Sequence, residues 1–318
     1  MTKPLVIIDG DLVAYKVAAA AEERTIIAKH INGNEHQYKN RTAFKAAVPK
    51  DKHAEYTIID VQVPDAIENV YHSLKMMSKG IAEKAGSTNF KLVISGKENF
   101  RDNIPLPTKY KGNRKDTLRP LLLEDARQYL QHAMKAEVSK GVEADDVEAM
   151  YAYDGYKNNK KIIQATIDKD ARGCNGWLFN WDKDTEPKLI QGSGFLRYED
   201  SDVYGEGHMW FLYQVLHQDK ADGYRGADLS GQEFGIKAAF DILSKAKSIK
   251  HAYELVYNQY KTWYPDVVTY TAWDGKEYSK NALQIMEMYW QCARMLRWKD
   301  DNLSCQEMLD NLGIKYET

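Results

Sequence analysis

The feature that most constrains this chain is a repeated pattern in which a short apolar run ends in carboxylates. The run Leu5–Ile8 ends in Asp9, and the run Lys161–Ile167 ends in Asp168 and Asp170. Continuous apolar runs of this length are typical of buried parallel strands. Amphipathic helical patterns separate the runs, and this alternation predicts an α/β fold with a central parallel sheet. The carboxylates are then expected together at the carboxyl edge of the sheet, where open α/β sheets carry their sites.

A second group of carboxylates opens a predicted helix. Glu143, Asp145 and Asp146 stand at the start of an apolar run with helical spacing. Acids in a first turn are favoured by the helix dipole, which is the purely structural interpretation. In a cleft, however, three carboxylates cannot all stay ionised without a cation. Asp219 and Asp222 form a further acidic cluster, and oxygen-only ligands of this kind suit Mg²⁺ or Mn²⁺.

A basic stretch with one aromatic ring follows the second predicted strand, Phe90–Ile94. Residues 109–115 read Lys-Tyr-Lys-Gly-Asn-Arg-Lys, with Arg101 before them and Arg119 after them. Cations interleaved with an aromatic ring suit phosphate contact and base stacking, and a basic surface loop is the alternative. Because the formal net charge of the whole chain is −2, any nucleic acid is expected to bind such a local patch.

Composition excludes several classes of protein. The 318 residues are 43% hydrophobic, enough for one large domain or two smaller ones. No apolar run approaches membrane-spanning length, and the first ten residues enter a strand instead of a signal peptide, so we expect no membrane partner and a cytoplasmic location. The scattered Cys174, Cys292 and Cys305 favour a reducing compartment and argue against a thiolate zinc site.

Taken in order, these motifs resemble the 5′-nucleases of the flap-endonuclease superfamily, above all the bacteriophage 5′→3′ exonucleases. The resemblance extends over most of the chain, and the tail Cys292–Leu303 also looks like the phage branch. The matching segments, in the family's order, are Ile7–Asp11 (IIDGD), Tyr110–Lys115 (YKGNRK), Gly141–Asp146 (GVEADD), Ala165–Asp170 (ATIDKD) and Gln218–Gly226 (QDKADGYRG).

The resemblance implies a fold and a division of the chain. Residues 1–207 are expected to form a PIN-like α/β core, in which helices flank a central parallel sheet. An insertion at about 25–63 reads as a β-hairpin, and a helical arch is expected at about 96–120. Residues 208–318 are expected to form a mostly helical DNA-binding region with a helix–three-turn–helix element.

The resemblance also assigns residues to roles. Two divalent cations, Mg²⁺ or Mn²⁺, would be held by carboxylates from these motifs: Asp9, Glu143 and Asp145 around one, Asp168, Asp170, Asp219 and Asp222 around the other, and Asp146 between them. Lys111 and Arg114 would act on the scissile phosphate, and Tyr110 would stack a terminal base. The other expected DNA contacts are Lys109, Lys115, Arg225, Gly231, Gly235 and Lys237. In this family the glycine-containing turn can also hold K⁺.

The implied activity is that of a metal-dependent 5′→3′ exonuclease and 5′ flap endonuclease acting on DNA. Two-metal hydrolysis would leave a 5′ phosphate and a 3′ hydroxyl. The expected partner is DNA with free 5′ ends or flaps, and RNA–DNA hybrids remain an open second substrate. The chain is expected to act as a monomer, in the host cytoplasm if a phage encodes it.

Two alternatives stay open, and the first of them rests on a departure from the family pattern. Many family members carry an Asp just after the second strand, where this chain has Ser95. A missing ligand would favour a nucleic-acid-binding protein with impaired catalysis. A PIN-type endoribonuclease is the other alternative, and preference for single-stranded RNA would distinguish it.

Overall fold

A computed structural model of the chain describes residues 3–115 and 117–316. Asp116, inside the segment predicted as the arch, lies outside the described residues. The chain divides into two compact units. The first comprises Met1–Asp9, Lys79–Thr117 and Ala136–Thr318, and the second comprises Gly10–Ser78 and Leu118–Lys135.

Helices and strands alternate through the first two-thirds of the chain, and helices dominate the last third. The strands are β1 (Leu5–Asp9), β2 (Glu22–His30), β3 (Glu35–Tyr38), β4 (Tyr56–Pro64), β5 (Asn89–Ile94), β6 (Glu137–Val138), β7 (Ile162–Ala165), β8 (Gly176–Phe179), β9 (Lys188–Ile190), β10 (Phe195–Glu199), β11 (Asp202–Glu206), β12 (Gln218–Asp219), β13 (Tyr224–Arg225), β14 (Val268–Thr271) and β15 (Glu277–Lys280). The α-helices are α1 (Gly10–Ala20), α2 (Arg41–Ala47), α3 (Ile67–Lys84), α4 (Leu123–His132), α5 (Ala144–Lys157), α6 (Gly207–Leu216), α7 (Ile236–Leu243), α8 (Ile249–Trp263), α9 (Ala282–Ala293) and α10 (Cys305–Asn311).

The first unit is built on a six-stranded sheet with the order β6-β5-β1-β7-β8-β9. All its neighbouring strands are parallel except β8 and β9. The central strand β1 is buried because its apolar residues Val6, Ile7 and Ile8 have no exposed surface. Asp9 pairs in register with Val93 of β5, so β1, β5 and β7 end at the same edge of the sheet. The predicted α/β fold with a central parallel sheet is confirmed.

Helix α5 packs against this sheet and begins where the sequence predicts. Ala144, at its first position, forms a small core with Ile7 and Val93. The hydroxyl oxygen of Ser95, which follows β5, accepts a hydrogen bond from the Ala144 N–H at 3.1 Å. This contact satisfies one of the backbone donors that a helix start leaves without an intrahelical partner. The start of α5 is therefore tied to the edge of the sheet at which the acids lie.

The C-terminal part of the first unit is mostly helical, as predicted. Every residue of α6 from Trp210 to Leu216 is buried, and α6 shares a large apolar core with α8 and α9. Strands β14 and β15 form an antiparallel hairpin around Asp274 and Gly275. Within residues 3–115 and 117–316, no helix is both long enough and apolar enough to cross a bilayer.

The second unit contains the segment predicted as a β-hairpin insertion. Its antiparallel sheet has the order β3-β2-β4, so the predicted hairpin β2–β3 gains a third strand that pairs with β2 along nine residues. Phe44 and Val48 from the α2 segment pack on Ile26 and Ala28 of this sheet. The sequence pattern missed α2, because it is short and contributes one large apolar side chain.

The segment at about 96–120, predicted as the arch, contains two 3-10 helices, Phe100–Asn103 and Gly112–Arg114. Lys111 precedes the second with a φ of 54°, in the left-handed region that non-glycine residues seldom adopt. Such a conformation persists only where the surroundings hold it, so this segment is fixed by its contacts.

We expect the free energy of unfolding to fall between pH 6.5 and pH 4 because of His208. Its Nε2 accepts a hydrogen bond from Arg297 at 2.9 Å, and burial, with the charges of Arg297 and Arg294, lowers the pKa of His208 to about 4. His208 binds a proton near pH 6.5 in the unfolded chain but only near pH 4 in the folded chain. Acid therefore favours the unfolded state between these two values. His208→Gln keeps an acceptor and should reduce the slope by up to about 1.4 kcal/mol per pH unit.

Urea unfolding at pH 7, 6 and 5 measures both slopes. His217 has a pKa lowered in the same way and is present in both proteins, so only the difference between the slopes reports on His208. Equal slopes would mean that His208 titrates alike in the folded and unfolded chain.

Candidate active site

The carboxyl edge of the sheet brings together Asp9, Asp145 and Glu148. One oxygen atom from each carboxylate lies within 4.8 Å of the others. Asp9 is 2% exposed and Glu148 is fully buried. Oxygens that share one Mg²⁺ at about 2.1 Å lie at most about 4.2 Å apart, so small side-chain movements would let all three bind one ion. This triad is a candidate metal site.

The surroundings of Glu148 suit a metal ion. Its Oε2 accepts a hydrogen bond from Gln164 at 3.3 Å, while its buried Oε1 has no hydrogen-bond partner among the described residues. Burial, and then the charges of Asp9 and Asp145, raise the pKa of Glu148 well above its usual range. A divalent cation would satisfy Oε1 and remove the repulsion between like charges. The residues present therefore fit a bound metal.

Glu148 was not among the predicted ligands, although the sequence contains a signal for it. Asp145 and Glu148 are three residues apart on α5, so their side chains share one face of the helix. The apolar residues around Glu148, however, are typical of a helix face that packs in a core. In the fold, this face of α5 packs against β1 and β7. Asp145 and Glu148 thereby come close to Asp9 and complete the triad.

A hydroxyl group orients the acids that follow β1 and β7. Thr166 donates a hydrogen bond from Oγ1 to Asp9 Oδ2 at 2.9 Å, and the same oxygen accepts one from the Asp168 N–H at 3.1 Å. Asp168 Oδ1 in turn accepts from the Asp170 N–H at 2.9 Å. The two predicted ligands after β7 are thereby fixed next to the end of β1.

Asp170 and Asp219 share one ammonium group. Lys169 Nζ lies 2.8 Å from Asp170 Oδ1 and also contacts Asp219 Oδ2. Burial, together with the charges of Asp168 and Asp219, raises the pKa of Asp170 to about 7. Asp219 Oδ1 accepts hydrogen bonds from two backbone N–H groups of the following turn. The structure thus brings three of the predicted ligands for the second ion close together, with a lysine between two of them.

Glu143 and Asp222 lie together with the predicted catalytic cations. Lys111 Nζ contacts Glu143 Oε1 and lies 3.7 Å from Asp222 Oδ1. Arg114 pairs with Asp222 Oδ1 at 2.8 Å. Although burial opposes it, the charges of Glu143 and Asp222 raise the pKa of Lys111, which keeps it a cation. Lys111 and Arg114 therefore stand as positive charges at the border of the acidic cluster.

Four consecutive carbonyl oxygens hold the segment that carries these cations. The oxygens belong to residues 220–223, in the turn after Asp219. The bonds run from Asn113 Nδ2 to Lys220 at 2.7 Å, from Arg114 Nε to Ala221 at 3.1 Å, from the Lys111 N–H to Asp222 at 2.8 Å and from Thr108 Oγ1 to Gly223 at 3.3 Å. The predicted phosphate contacts and the predicted ligands Asp219 and Asp222 therefore belong to one rigid surface.

Asp146 has a different environment from the one predicted. It is fully buried. Arg101 forms a bidentate pair with it, from Nη1 to Oδ2 at 2.6 Å and from Nη2 to Oδ1 at 2.9 Å. Each of its oxygens accepts a second bond, Oδ1 from the Leu296 N–H and Oδ2 from the Glu143 N–H. A carboxylate has about four lone-pair sites, and these four bonds fill them. Asp146 therefore pairs with Arg101, whereas the prediction placed it between two metal ions.

Tyr110 is buried, whereas the prediction made it a stacking platform. The ring is 3% exposed. Its hydroxyl donates to Asp222 Oδ2 at 2.6 Å and lies 3.2 Å from Glu143 Oε2. An aromatic face must be open to solvent to stack on a base, so Tyr110 braces two carboxylates in this conformation.

The remaining predicted DNA contacts are spread over the first unit. Lys109, within the segment predicted as the arch, is half-buried, and Lys115 is exposed. Arg225 pairs with Asp228 at 3.0 Å, and Lys237 pairs with Asp241 at 2.8 Å. Gly231 has a φ of 67°, which favours glycine, and Gly235 caps the N-terminus of α7. The roles of these residues in binding DNA or K⁺ stay predictions.

We expect Arg101→Met to lower the free energy of unfolding by about 3–5 kcal/mol, because it leaves Asp146 as a buried charge without its cation. Urea unfolding followed by circular dichroism measures the change. Arg197→Met is a matched control, since Arg197 pairs with Glu199 where both side chains are 62% exposed, and it should cost less than about 1 kcal/mol. Equal effects of the two substitutions would contradict a structural role for the buried pair.

Comparison with protein-family models and with curated protein sequences finds no match to this chain. Solved structures do match. The D15 protein of bacteriophage T5, co-crystallised with metal ions, is 12% identical with a TM-score of 0.50, and the likeness covers 98% of each chain. A second structure, of the bacteriophage T5 D15 flap endonuclease with DNA and metal ions, is 14% identical with a TM-score of 0.49 over 98% of each chain. The chain therefore has the fold of the T5 D15 protein, which is the fold that its motifs predict.

Proposed function

We propose that this chain is a metal-dependent nuclease that hydrolyses phosphodiester bonds near the 5′ ends of DNA, as a 5′→3′ exonuclease and 5′ flap endonuclease. The observation that carries the proposal is the triad of Asp9, Asp145 and Glu148, in which Asp9 and Glu148 are buried and Glu148 Oε1 lacks a hydrogen-bond partner among the described residues. Two cations, Lys111 and Arg114, border the neighbouring acids. The fold shared with the T5 D15 protein adds support, since that protein was crystallised with metal ions.

The carboxylates form two sets that suit two divalent ions, Mg²⁺ or Mn²⁺. The triad would hold the first ion, and Asp168, Asp170 and Asp219 would hold the second. When bound, two such ions stabilise the attacking and leaving oxygens of an in-line displacement at phosphorus. The proposed products carry a 5′ phosphate and a 3′ hydroxyl.

The chain's own side chains would prepare the phosphate for this reaction. Lys111 and Arg114 are held on a rigid surface by the turn at 220–223, so they can meet a phosphate without losing much conformational freedom. Their charges would neutralise the phosphate oxygens and draw the strand toward the carboxylates. Thr166 would keep Asp9 in one orientation through its hydrogen bond.

Further parts of the proposal concern substrate and assembly. Residues 208–318 would bind the duplex through Arg225, Lys237 and the turn at Gly231 and Gly235, where K⁺ would bind as well. RNA–DNA hybrids are a second candidate substrate, and the protein would act as a monomer. The boundaries 1–207 and 208–318 of its nuclease and DNA-binding parts belong to this proposal.

One observation favours the alternative of DNA binding with impaired catalysis. Ser95 stands where many 5′-nucleases carry an Asp, and its hydroxyl oxygen accepts a hydrogen bond from the Ala144 N–H at the start of α5. If no other acid replaces that Asp, the first ion would bind weakly. Cleavage assays separate the two functions directly.

We expect the chain to cleave a 5′-labelled flap and a nicked duplex in Mg²⁺ and to lose cleavage in EDTA. Asp168→Asn should reduce the rate by at least about 100-fold, because the amide keeps the shape of the carboxylate but not its charge. Gel electrophoresis of the labelled fragments measures both substrates, and Asp154→Asn, at the other end of α5, is the charge-matched control. DNA binding without cleavage in any divalent metal would support the alternative, and cleavage of single-stranded RNA alone would indicate an endoribonuclease.

We expect Glu148→Gln to weaken divalent-metal binding by at least about 10-fold, because a neutral amide is a poorer ligand than a carboxylate. The same variant without metal should be at least as stable as the parent chain, since it removes a buried charge with an unpaired oxygen. Isothermal calorimetry with Mg²⁺ or Mn²⁺ and urea unfolding measure the two effects. Glu287→Gln, which changes a largely buried glutamate in α9, is the control. Unchanged metal affinity in Glu148→Gln would remove Glu148 from the site.

A further inference from the structure

The tip of the β14–β15 hairpin presents an aromatic side chain that the nuclease chemistry above leaves unused. Trp273 is 37% exposed, yet both of its N–H groups are bound to protein. The indole Nε1–H donates to the Ile104 carbonyl at 2.9 Å, and the backbone N–H donates to the Leu106 carbonyl at 3.0 Å. With both donors engaged, a ligand that reaches the exposed part of Trp273 would meet the ring and not an N–H donor.

The hairpin holds this ring in a fixed place. Tyr270, on β14, donates a hydrogen bond to the Pro105 carbonyl at 2.6 Å. Three carbonyls in a row, those of residues 104–106, therefore accept bonds from the hairpin. A ring anchored in this way loses little conformational entropy when a ligand packs on it.

A cation stands over the same ring. Lys109 Nζ lies 4.8 Å from the centroid of the Trp273 indole, a distance at which an ammonium is attracted to an aromatic face. An ammonium over one face of a partly exposed indole offers two contacts to one nucleotide, a charge for the phosphate and an aromatic surface for the base.

Trp273 also lies on the surface that carries the proposed phosphate contacts. The hairpin holds residues 104–106, and the turn at 220–223 holds residues 108–114 of the same segment. Lys109 is two residues from Lys111, whose ammonium meets Glu143. Tyr110, the aromatic residue of the segment 104–114, is buried.

We propose that Trp273 is the stacking platform for an unpaired base of the 5′ strand, with Lys109 contacting the adjacent phosphate. The inference rests on the proposed function, because it assigns the exposed ring to the DNA substrate of that site. Every base has a π-face, so the contact is tolerant of sequence. Trp273 thus selects unpaired nucleotides over duplex, since paired bases keep their faces stacked on one another.

The test is the affinity for DNA, measured by fluorescence anisotropy in Ca²⁺ with a 5′ single-stranded flap and with a blunt duplex. Trp273→Leu should weaken flap binding by roughly 5- to 150-fold and leave duplex binding unchanged. Trp273→Phe keeps an aromatic face and should bind the flap within about 5-fold of the parent chain. Trp298→Leu replaces a tryptophan that is 46% exposed and is the matched control, expected to leave flap binding unchanged.

Abasic substitutions along the flap give a second readout on the unaltered chain, so the test survives a Trp273→Leu variant that does not fold. Removal of one base near the junction should weaken binding by the parent chain and have no further effect on Trp273→Leu. Equal loss of flap and duplex binding in Trp273→Leu, or no abasic position that matters, would overturn the proposal. Flap binding without cleavage in Mg²⁺ would refute the nuclease function alone, and cleavage with normal flap affinity in Trp273→Leu would refute the stacking role alone.

Discussion

The buried pair between Arg101 and Asp146 is the interaction on which the site depends. The pair joins the start of the arch segment to the first turn of α5. Arg101 also donates to the carbonyls of Cys292 and Arg294, and the Leu296 N–H reaches Asp146, so the tail after α9 is part of the same network. A guanidinium suits this place, because its planar fork can bind a carboxylate and carbonyls at the same time. The helix that this pair anchors carries Asp145 and Glu148, each of which has a carboxylate oxygen within 4.8 Å of one from Asp9 at the end of β1.

Charge compensation divides the acids near α5 into two kinds. Asp146 has Arg101, Glu143 has Lys111, and Asp222 has Arg114. Lys169 serves both Asp170 and Asp219. Glu148, by contrast, keeps a buried oxygen with no hydrogen-bond partner within the described part of the chain. A low-dielectric interior makes such an atom costly, and a cation bound there would offset that cost.

Glu148 also bears on the departure noted at Ser95. Ser95, and not an acid, directly follows β5, so the motifs alone leave the proposed first metal site with one ligand fewer. The fold supplies an acid from another direction, because α5 turns Glu148 toward the buried end of β1. Ser95 meanwhile accepts a hydrogen bond from the start of α5. One helix therefore provides two of the three carboxylates in the triad.

The fold class and the edge of the sheet at which the acids meet can both be predicted from the amino-acid sequence. This was possible because strands β1, β5 and β7 are short apolar runs whose period and length are local properties, and parallel strands end at the same edge. Motif order also indicated the fold shared with the T5 D15 protein. Long-range contacts, in contrast, determine which carboxylates pair with a basic side chain and which could bind a metal ion. The motifs predict functional roles for Asp146 and Tyr110. In the structure, however, Asp146 forms an ion pair with Arg101, and the ring of Tyr110 is buried. Partners such as Arg101 and Leu296 are distant along the chain, so no local pattern could assign these contacts.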